Sequence, residues 1–274
     1  MPDADPPDRG ELAHLPDRGE LAHLPDRGEL AHLAHQLTDP DPDLRDGVAL
    51  PGIAEAIMAG LDSSDRQWLG SLMCDFLRHP EIQARASAAL VLAILATTGP
   101  FDPAWVGAMR SWYVTEADLR GFDPELGWLH AVANGADAIG AIGRAGHAPP
   151  GMLLATLARR LVTPTEYVWS EQEDDRVAYA VALVLSSPAL DAIGATAWLG
   201  PVAALIAEPQ QPPGRPERIN AIHTLRSLRI ALDGQVVAPD GRLVEVPEVD
   251  AVRSALVAAL APATPWFWRT GGEA

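Results

Sequence analysis

Signals for the start of a helix recur along this chain at intervals of roughly forty to fifty residues. Each signal combines a turn, proline or acidic residues in the first helical turn, and a nearby arginine, a pattern that specifies a helix N-terminus. The signals lie at residues 37–45, 78–85, 122–125, 173–176 and 215–218. A repeat of about 40 to 47 residues built from helix pairs is typical of HEAT and armadillo proteins. The sequence therefore predicts an all-α fold, a HEAT/armadillo-like α-solenoid of helix pairs with one small β-hairpin near the C-terminus.

Each helix that follows a signal needs a partner helix from the same repeat. The predicted partner helices cover residues 65–77, 103–114, 150–161 and roughly 189–207. The helices that follow the signals are rich in alanine, with leucine, isoleucine and valine at helical spacing, as in residues 88–95. Small residues allow helices to approach closely, so we expect these helices to be buried on most sides. The helix that opens at residue 122 is expected to contain Trp128 and His130.

The two ends of the chain depart from this pattern. Residues 1–28 are predicted to be a flexible tail, because three identical nonapeptides begin at Pro7, Pro16 and Pro25 and each contains a proline and a glycine. The histidines near this tail are either a metal-binding tract or a by-product of tandem duplication; they are His14, His23, His32 and His35. The solenoid domain is assigned to residues 29–232, and its first helix to residues 29–37.

Residues 233–247 are predicted to form the β-hairpin insertion, because an Asp-Gly turn separates two β-branched runs. Residues 248–274 are assigned to a capping helix, over 248–260, and an aromatic tail. The tail, which contains Trp266, Phe267 and Trp268, is expected to fold back over an open apolar end or else to bind a partner.

Composition excludes several classes of function. All twenty basic residues are arginines, so a Schiff-base enzyme, a pyridoxal-phosphate enzyme and a Walker-A phosphate loop, which all need a lysine, are excluded. A formal charge of −17 argues against a nucleic-acid partner. The longest apolar run, residues 88–96, is too short for a membrane span, so no membrane partner is expected. A single cysteine, Cys74, permits no intrachain disulfide and fits a cytoplasmic protein.

Polar residues are densest between Glu116 and Asp137. At 100° per residue, His130, Asn134 and Asp137 fall within an arc of about 60° on one helix face. These side chains can bind a polar ligand, or Asp137 can orient His130 as a general base. Alternatively, they form a hydrogen-bonded network inside the solenoid, in which Asp137 bonds His130 or an arginine of the next repeat.

A second polar cluster contains Glu173, Asp174 and Arg176 at the start of a helix, where acidic residues complement the helix dipole without any ligand. Because equivalent positions of a solenoid face the same side, we expect both clusters to border one groove. The predicted ligand-binding residues are Glu116, Asp118, Arg120, His130, Asn134, Asp137, Glu173, Asp174 and Arg176. Crowded carboxylates would raise each other's pKa and supply a proton donor, unless the arginines neutralise them.

The central motif, residues 116–122 followed by 127–130 and 136–137, resembles the signature of an uncharacterised bacterial family, the domain of unknown function 2785 family. The resemblance covers roughly residues 37–232 and brings no activity with it. It implies that a histidine commonly stands at the position of Asn134, which would complete a His-His-Asp set suited to a divalent metal. Asparagine is a poorer transition-metal ligand, so we assign neither a metal nor a cofactor to this chain.

The sequence favours a binding or scaffold module whose polar groove holds an unidentified small molecule or protein, since solenoids bind on an extended concave surface. The alternative is an enzyme that acts on a small polar or anionic molecule. In that case His130 is the base, Asp137 orients it, and Arg120 or Arg176 holds an anionic group.

Overall fold

The computed structural model describes residues 25–209 and 214–267, which form layers of stacked helices. The helices, in chain order, are α1 (Arg27–Gln36), α2 (Pro42–Leu44), a π-helical turn (Arg45–Ala49), α3 (Leu50–Gly60), α4 (Ser63–Phe76), α5 (Ile82–Thr98), α6 (Pro103–Thr115), α7 (Ala131–Arg144), α8 (Pro150–Val162), α9 (Glu173–Leu185), α10 (Ala192–Ala197), α11 (Leu199–Ala207), α12 (Pro216–Asp233) and α13 (Val249–Leu260). Two short antiparallel strands, β1 (Phe122–Asp123) and β2 (Gly127–Trp128), lie between α6 and α7. The first two nonapeptides, with His14 and His23, lie outside the described residues, as does Trp268.

The helices stack in two layers. Helices α3, α5, α7, α9 and α12 pack side by side in chain order and form the inner layer. Helices α4, α6, α8 and α11 pack on the inner layer and on one another, and α13 closes the end by packing on α11 and α12. This repeated pairing confirms the predicted α-solenoid. Within the described residues, no helix is both long enough and apolar enough to cross a membrane.

Small residues permit the close packing of the inner layer. Nearly every side chain of α5 between Ile82 and Ala96 is buried. On α7, a Cβ added to Gly140 would lie 3.1 Å from the backbone of Ala180 on α9. A side chain there would force the two helices apart, which explains the small residues where inner helices meet.

The predicted helix over Trp128 and His130 is wrong. Phe122 pairs with Trp128 in the β1–β2 hairpin, and α7 begins only at Ala131. The Asp123 carboxylate accepts hydrogen bonds from the backbone N–H groups of Glu125 and Leu126, so it closes a turn instead of capping a helix. His130 therefore precedes the helix that carries Asn134 and Asp137.

Three other segments differ from expectation in detail. Helix α1 begins at Arg27, two residues before the predicted start, because Asp26 and Glu29 form a capping box. The helix predicted near residues 189–207 is divided into α10 and α11, and Pro201, which has no N–H to donate, lies in the first turn of α11. Between residues 233 and 247, a single β-bridge joins Val237 to Leu243.

The aromatic tail does not fold back as expected over the part that the structure describes. Trp266 is 83% exposed and Phe267 is 68% exposed. Their rings contact each other in an edge-to-face arrangement.

Candidate functional site

Two residues with left-handed backbone mark the N-terminal ends of neighbouring inner helices. His130 directly precedes α7 with φ +45°, and Gln172 directly precedes α9 with φ +65°. This conformation is uncommon for residues other than glycine. The backbone N–H groups of Leu129 and His130 both donate to the carbonyl of Gly121. The loop after the hairpin thus holds His130 against the start of α7.

The His130 imidazole is enclosed by an aromatic ring and a carboxyl group. It stacks on Trp128, with ring centroids 4.5 Å apart and planes 3° apart. Its Nδ1 atom lies 3.9 Å from Oε1 of Glu173 and is buried without a hydrogen-bond partner among the described residues. Burial, reinforced by the positive charge of Arg176, lowers the pKa of His130 to about 4. The imidazole is therefore neutral at pH 7.

Glu173, at the first position of α9, is buried beneath the loop. One of its carboxyl oxygens accepts a hydrogen bond from the Glu171 N–H at 2.8 Å. A Cβ at Gly121 would collide with the other oxygen, so only glycine fits above this carboxyl group. Burial raises the pKa of Glu173 by more than its bonds from backbone N–H groups lower it. Both members of the His130–Glu173 pair are thus driven toward their neutral forms.

Asp137 bonds an arginine of the next repeat and does not orient His130. This is one of the two pairings that the sequence left open. Arg176 on α9 donates from Nε to Oδ1 of Asp137 at 3.1 Å and makes a second bond from Nη2 to Oδ2. Burial raises the pKa of Asp137, and Arg176 acts in the opposite direction. The carboxyl group beside His130 is that of Glu173, because His130 stands outside the helix that sets the position of Asp137. Asn134 donates to the carbonyl of Ala86 on α5 at 3.2 Å.

Glu116 lies in a separate cluster with a full set of partners. It accepts two hydrogen bonds from Arg85, at 2.6 and 2.9 Å, and one from the Trp112 indole at 2.7 Å. The backbone N–H groups of Ala117 and Asp118 also donate to it. Burial alone would raise the pKa of Glu116, but these donors and the Arg85 charge hold it below its usual value. Glu116 therefore fixes the loop that follows α6.

The remaining predicted residues pair with other partners. Arg120 binds the carboxylates of Asp118 and Asp123 within its own loop. Asp174 lies 3.9 Å from Nδ1 of His223 on α12. The structure thus brings His130, Asp137, Glu173 and Arg176 together, and we call these four residues the His130 cluster. The expected single groove is divided between this cluster and the paired groups of the α6–α7 loop.

The His130 cluster leaves little room for a ligand. A cavity of about 20 Å³ lies between Trp128, His130, Asn134, Ser87 and Asp46, which is enough for one water molecule. In the part of the chain that the structure describes, no three His, Cys, Asp or Glu side chains converge to hold a metal ion.

A much larger cavity, which the sequence did not predict, opens along the inner layer on the other side of Asp137. It has a volume of about 480 Å³, and we call it the cleft. Its apolar wall comes from α3, α5, α7 and α9 and contains Met58, Ala93, Ile94, Ala141 and Leu183. Its polar side chains include Asp137, Arg144, Tyr179, Asp240 and Arg242.

The loop that follows α12 covers the cleft. Residues 238–242 form a tight turn in which the Ala238 N–H donates to the Arg242 carbonyl at 2.8 Å. The hydroxyl of Tyr179 on α9 donates to the carbonyl of Val237 at 2.8 Å and so fixes this loop to the inner layer. The Asp-Gly turn was a sequence signal for this loop, but no pattern indicated that it would lie over α5 and α7.

Comparison with known proteins supports the family resemblance. A family model described as "Protein of unknown function (DUF2785)" matches residues 78–230, more than half of the chain, and this span contains the motif from Glu116 to Asp137. No curated protein matches the chain. Among solved structures, "Designed armadillo repeat protein YIII(Dq)4CqI" is similar, with 16% sequence identity and a TM-score of 0.36. That similarity covers 86% of this chain and 100% of the designed protein.

Proposed function

We propose a function for this chain, which belongs to the family described as "Protein of unknown function (DUF2785)", from its own geometry. The protein is a binding module that holds a small molecule with an apolar body in the cleft. As a further part of the proposal, we place the protein in the cytoplasm, where its one cysteine, Cys74, would stay reduced.

The cleft itself is the observation that carries this proposal. Its volume of about 480 Å³ lies within the range of about 300–1,000 Å³ that is usual for ligand pockets. An apolar wall with a few polar groups at its edge is also the usual composition of such pockets. The cavity beside His130, at about 20 Å³, is too small for an organic ligand.

The His130 cluster stabilises one side of the cleft. Asp137 borders the cleft, and its bonds to Arg176 connect α7 to α9, two of the helices that form the apolar wall. Rigid supporting contacts of this kind keep a binding cavity open before the ligand arrives.

A neutral fluorescent probe tests the proposal. We expect N-phenyl-1-naphthylamine, which fluoresces in apolar surroundings, to bind the wild type saturably with one site per chain. Ala141→Trp places a large ring in the cleft and should abolish this binding while the protein keeps its far-UV circular dichroism. The matched control is Ala258→Trp, at an exposed position of α13 outside the cleft, and should bind as the wild type does. Equal binding by both variants would refute the cleft as the binding site.

A second candidate, an enzyme acting on a small polar molecule, is favoured by the backbone and surroundings of His130. A left-handed residue with a buried, unpartnered nitrogen beside a buried carboxyl group combines strain with altered proton affinity, and such combinations concentrate at active sites. In this candidate Glu173, and not Asp137, adjoins the base. Hydrolysis of a panel of p-nitrophenyl esters and phosphates tests it: turnover should be lost in His130→Asn, while a panel without turnover by the wild type counts against this candidate.

A further inference from the structure

The mouth of the cleft carries more positive than negative charge, although the whole chain is strongly acidic. Arg144 lies at the end of α7, and Asp240 and Arg242 lie on the covering loop. Asp240 accepts hydrogen bonds from both the backbone N–H and the guanidinium of Arg242, and the charge of Arg144 also lowers the pKa of Asp240. The mouth therefore holds two arginines beside one aspartate. Arg144 donates to the neutral hydroxyl of Ser186 at 3.4 Å.

The other acidic group of the cleft does not offset Arg144. The side chain of Asp137 is only 2% exposed and is bonded to Arg176, so its charge is already matched. A protein with a net charge of −17 repels anions in general. A guanidinium beside an apolar cavity is a local exception, and it favours a ligand that has both an apolar body and a negative charge.

From these charges we propose that the cleft binds an amphiphilic monocarboxylate, with its hydrocarbon body against Ala93, Ile94 and Leu183 and its carboxylate at Arg144. This inference rests on the proposed function and names the ligand class of the same site. A guanidinium matches a carboxylate through two parallel hydrogen bonds, which gives the head group a defined orientation. Two arginines beside one aspartate leave one net positive charge at the mouth, which suits a ligand with a single negative charge and repels a cationic head group.

Two other side chains that border the cleft fit the same ligand. Met58 is half exposed and lies at the edge of the cleft, where a hydrocarbon body would cover it. Because Tyr179 already donates its hydroxyl proton to Val237, it presents its ring to the ligand and leaves the charge recognition to Arg144.

A series of ligands that differ only in the head group tests this inference. Octanoate, 1-octanol and octylammonium are each used to displace N-phenyl-1-naphthylamine from the wild type. We expect octanoate to bind about tenfold more tightly than 1-octanol, a difference of about 1.4 kcal/mol, and octylammonium to bind most weakly. The preference for octanoate should decrease in high salt, because the mouth is exposed to solvent.

Variants of one residue then assign the preference. Arg144→Gln should reduce octanoate affinity about tenfold and leave 1-octanol unchanged, while Arg144→Lys should keep most of the preference. The matched control is Arg78→Gln, which removes an exposed arginine that follows α4, is paired with Asp75 and does not line the cleft; this variant should change nothing.

The outcomes separate this inference from the function on which it rests. If the probe binds in the cleft but octanoate has no advantage over 1-octanol, or if Arg144→Gln leaves the advantage intact, the ligand class is wrong and the binding module stands. If Ala141→Trp does not affect probe binding, both proposals fail.

Discussion

Two buried glutamates, Glu116 and Glu173, lie close to the same loop and have opposite environments. Glu116 accepts hydrogen bonds from Arg85, from Trp112 and from two backbone N–H groups, and its pKa is lowered. Glu173 accepts a bond from the N–H of Glu171 and faces a histidine nitrogen at 3.9 Å, and its pKa is raised. Burial acts in the same direction on both carboxyl groups, so the difference is due to their partners.

A dense polar motif can therefore contain carboxyl groups of two kinds. A carboxylate whose acceptor positions are filled by charged and backbone donors holds the loop in place and has little capacity left for chemistry. Glu173 has few donors and adjoins an imidazole whose Nδ1 has no hydrogen-bond partner among the described residues, so it can exchange protons when its surroundings change. The same substitution at the two positions therefore has different consequences, as do changes to their neighbours.

Glu116→Gln should destabilise the protein most. The substitution keeps the shape of the side chain but removes the charge that binds Arg85, and one of the amide hydrogens then faces a donor. Breaking a buried pair of this kind costs about 3–5 kcal/mol, and the lower end applies here because Arg85 is 17% exposed. Urea unfolding at pH 7 measures the loss. A loss below about 1 kcal/mol would be typical of a surface pair and would remove the contrast with Glu173.

The next largest effect is that of Arg176→Met, which leaves the carboxylate of Asp137 buried and unpaired. We expect a loss of about 2–3 kcal/mol, smaller than for Glu116→Gln because Arg176 is 31% exposed. The pKa of His130 should rise because the nearby positive charge is gone. Thermal unfolding and NMR titration of the imidazole measure these two results.

The control is the double variant Asp137→Leu with Arg176→Met. Replacing both members of a buried pair by apolar residues of similar volume is often nearly neutral, so the double variant should recover most of the stability. If it is as unstable as Arg176→Met, the loss comes from the other contacts of Arg176 and not from the unpaired carboxylate.

The helix pairs were predictable because their signals are local. Proline at the first position of α6 and α8, at Pro103 and Pro150, places both helix starts in the sequence. The hairpin before α7 was not predictable, because the Asp-Pro-Glu segment at residues 123–125 is equally typical of a helix start. Whether this segment forms a helix or a hairpin depends on Arg45, which lies about eighty residues earlier in the chain and donates to the carbonyls of Leu126 and Trp128.

The candidate site was predictable in its location but not in its pairings. The high density of polar residues identified the region of His130 and Asp137. Because equivalent positions of a solenoid face the same side, Arg176 was expected near them. The partner of His130 depended on its left-handed backbone, which turns the imidazole toward Glu173 and away from the helix face calculated from periodicity. The cleft was not predicted because the loop that covers it and the inner helices that form its apolar wall lie far apart in the sequence and carry no common motif.

A smaller effect, visible as a pH dependence, is expected for His130→Asn. Asparagine tolerates the left-handed backbone, so the substitution mainly removes the titrating group and its stacking on Trp128. The pKa of His130 falls from 6.5 to about 4 on folding, so the unfolded chain binds more protons between these values. The wild type should therefore lose stability relative to the variant as pH falls from 6.5 to 4, by at most about 3 kcal/mol.

Urea unfolding of both proteins at pH 4.5, 5.5, 6.5 and 7.5 checks this slope. The raised pKa of Glu173 acts with the opposite sign above pH 4.5, and because both proteins keep Glu173, the comparison isolates the histidine. Parallel curves across this range would mean that His130 is accessible to solvent and titrates normally.

The smallest effect on stability is expected for Glu173→Gln, the same substitution that is costly at Glu116. The amide oxygen can still accept the Glu171 N–H, and the side chain keeps its size. The folded pKa of Glu173 is raised, so above the unfolded value of 4.5 the folded protein binds the extra proton and the wild type loses stability as pH rises. Glu173→Gln removes this penalty: unfolding measurements should show a change below about 1 kcal/mol at pH 5 and a variant more stable than the wild type at pH 8. A loss as large as that of Glu116→Gln would instead mean that Glu173 is ionised and paired with a protonated His130. Both glutamates would then be ionised members of buried charge pairs.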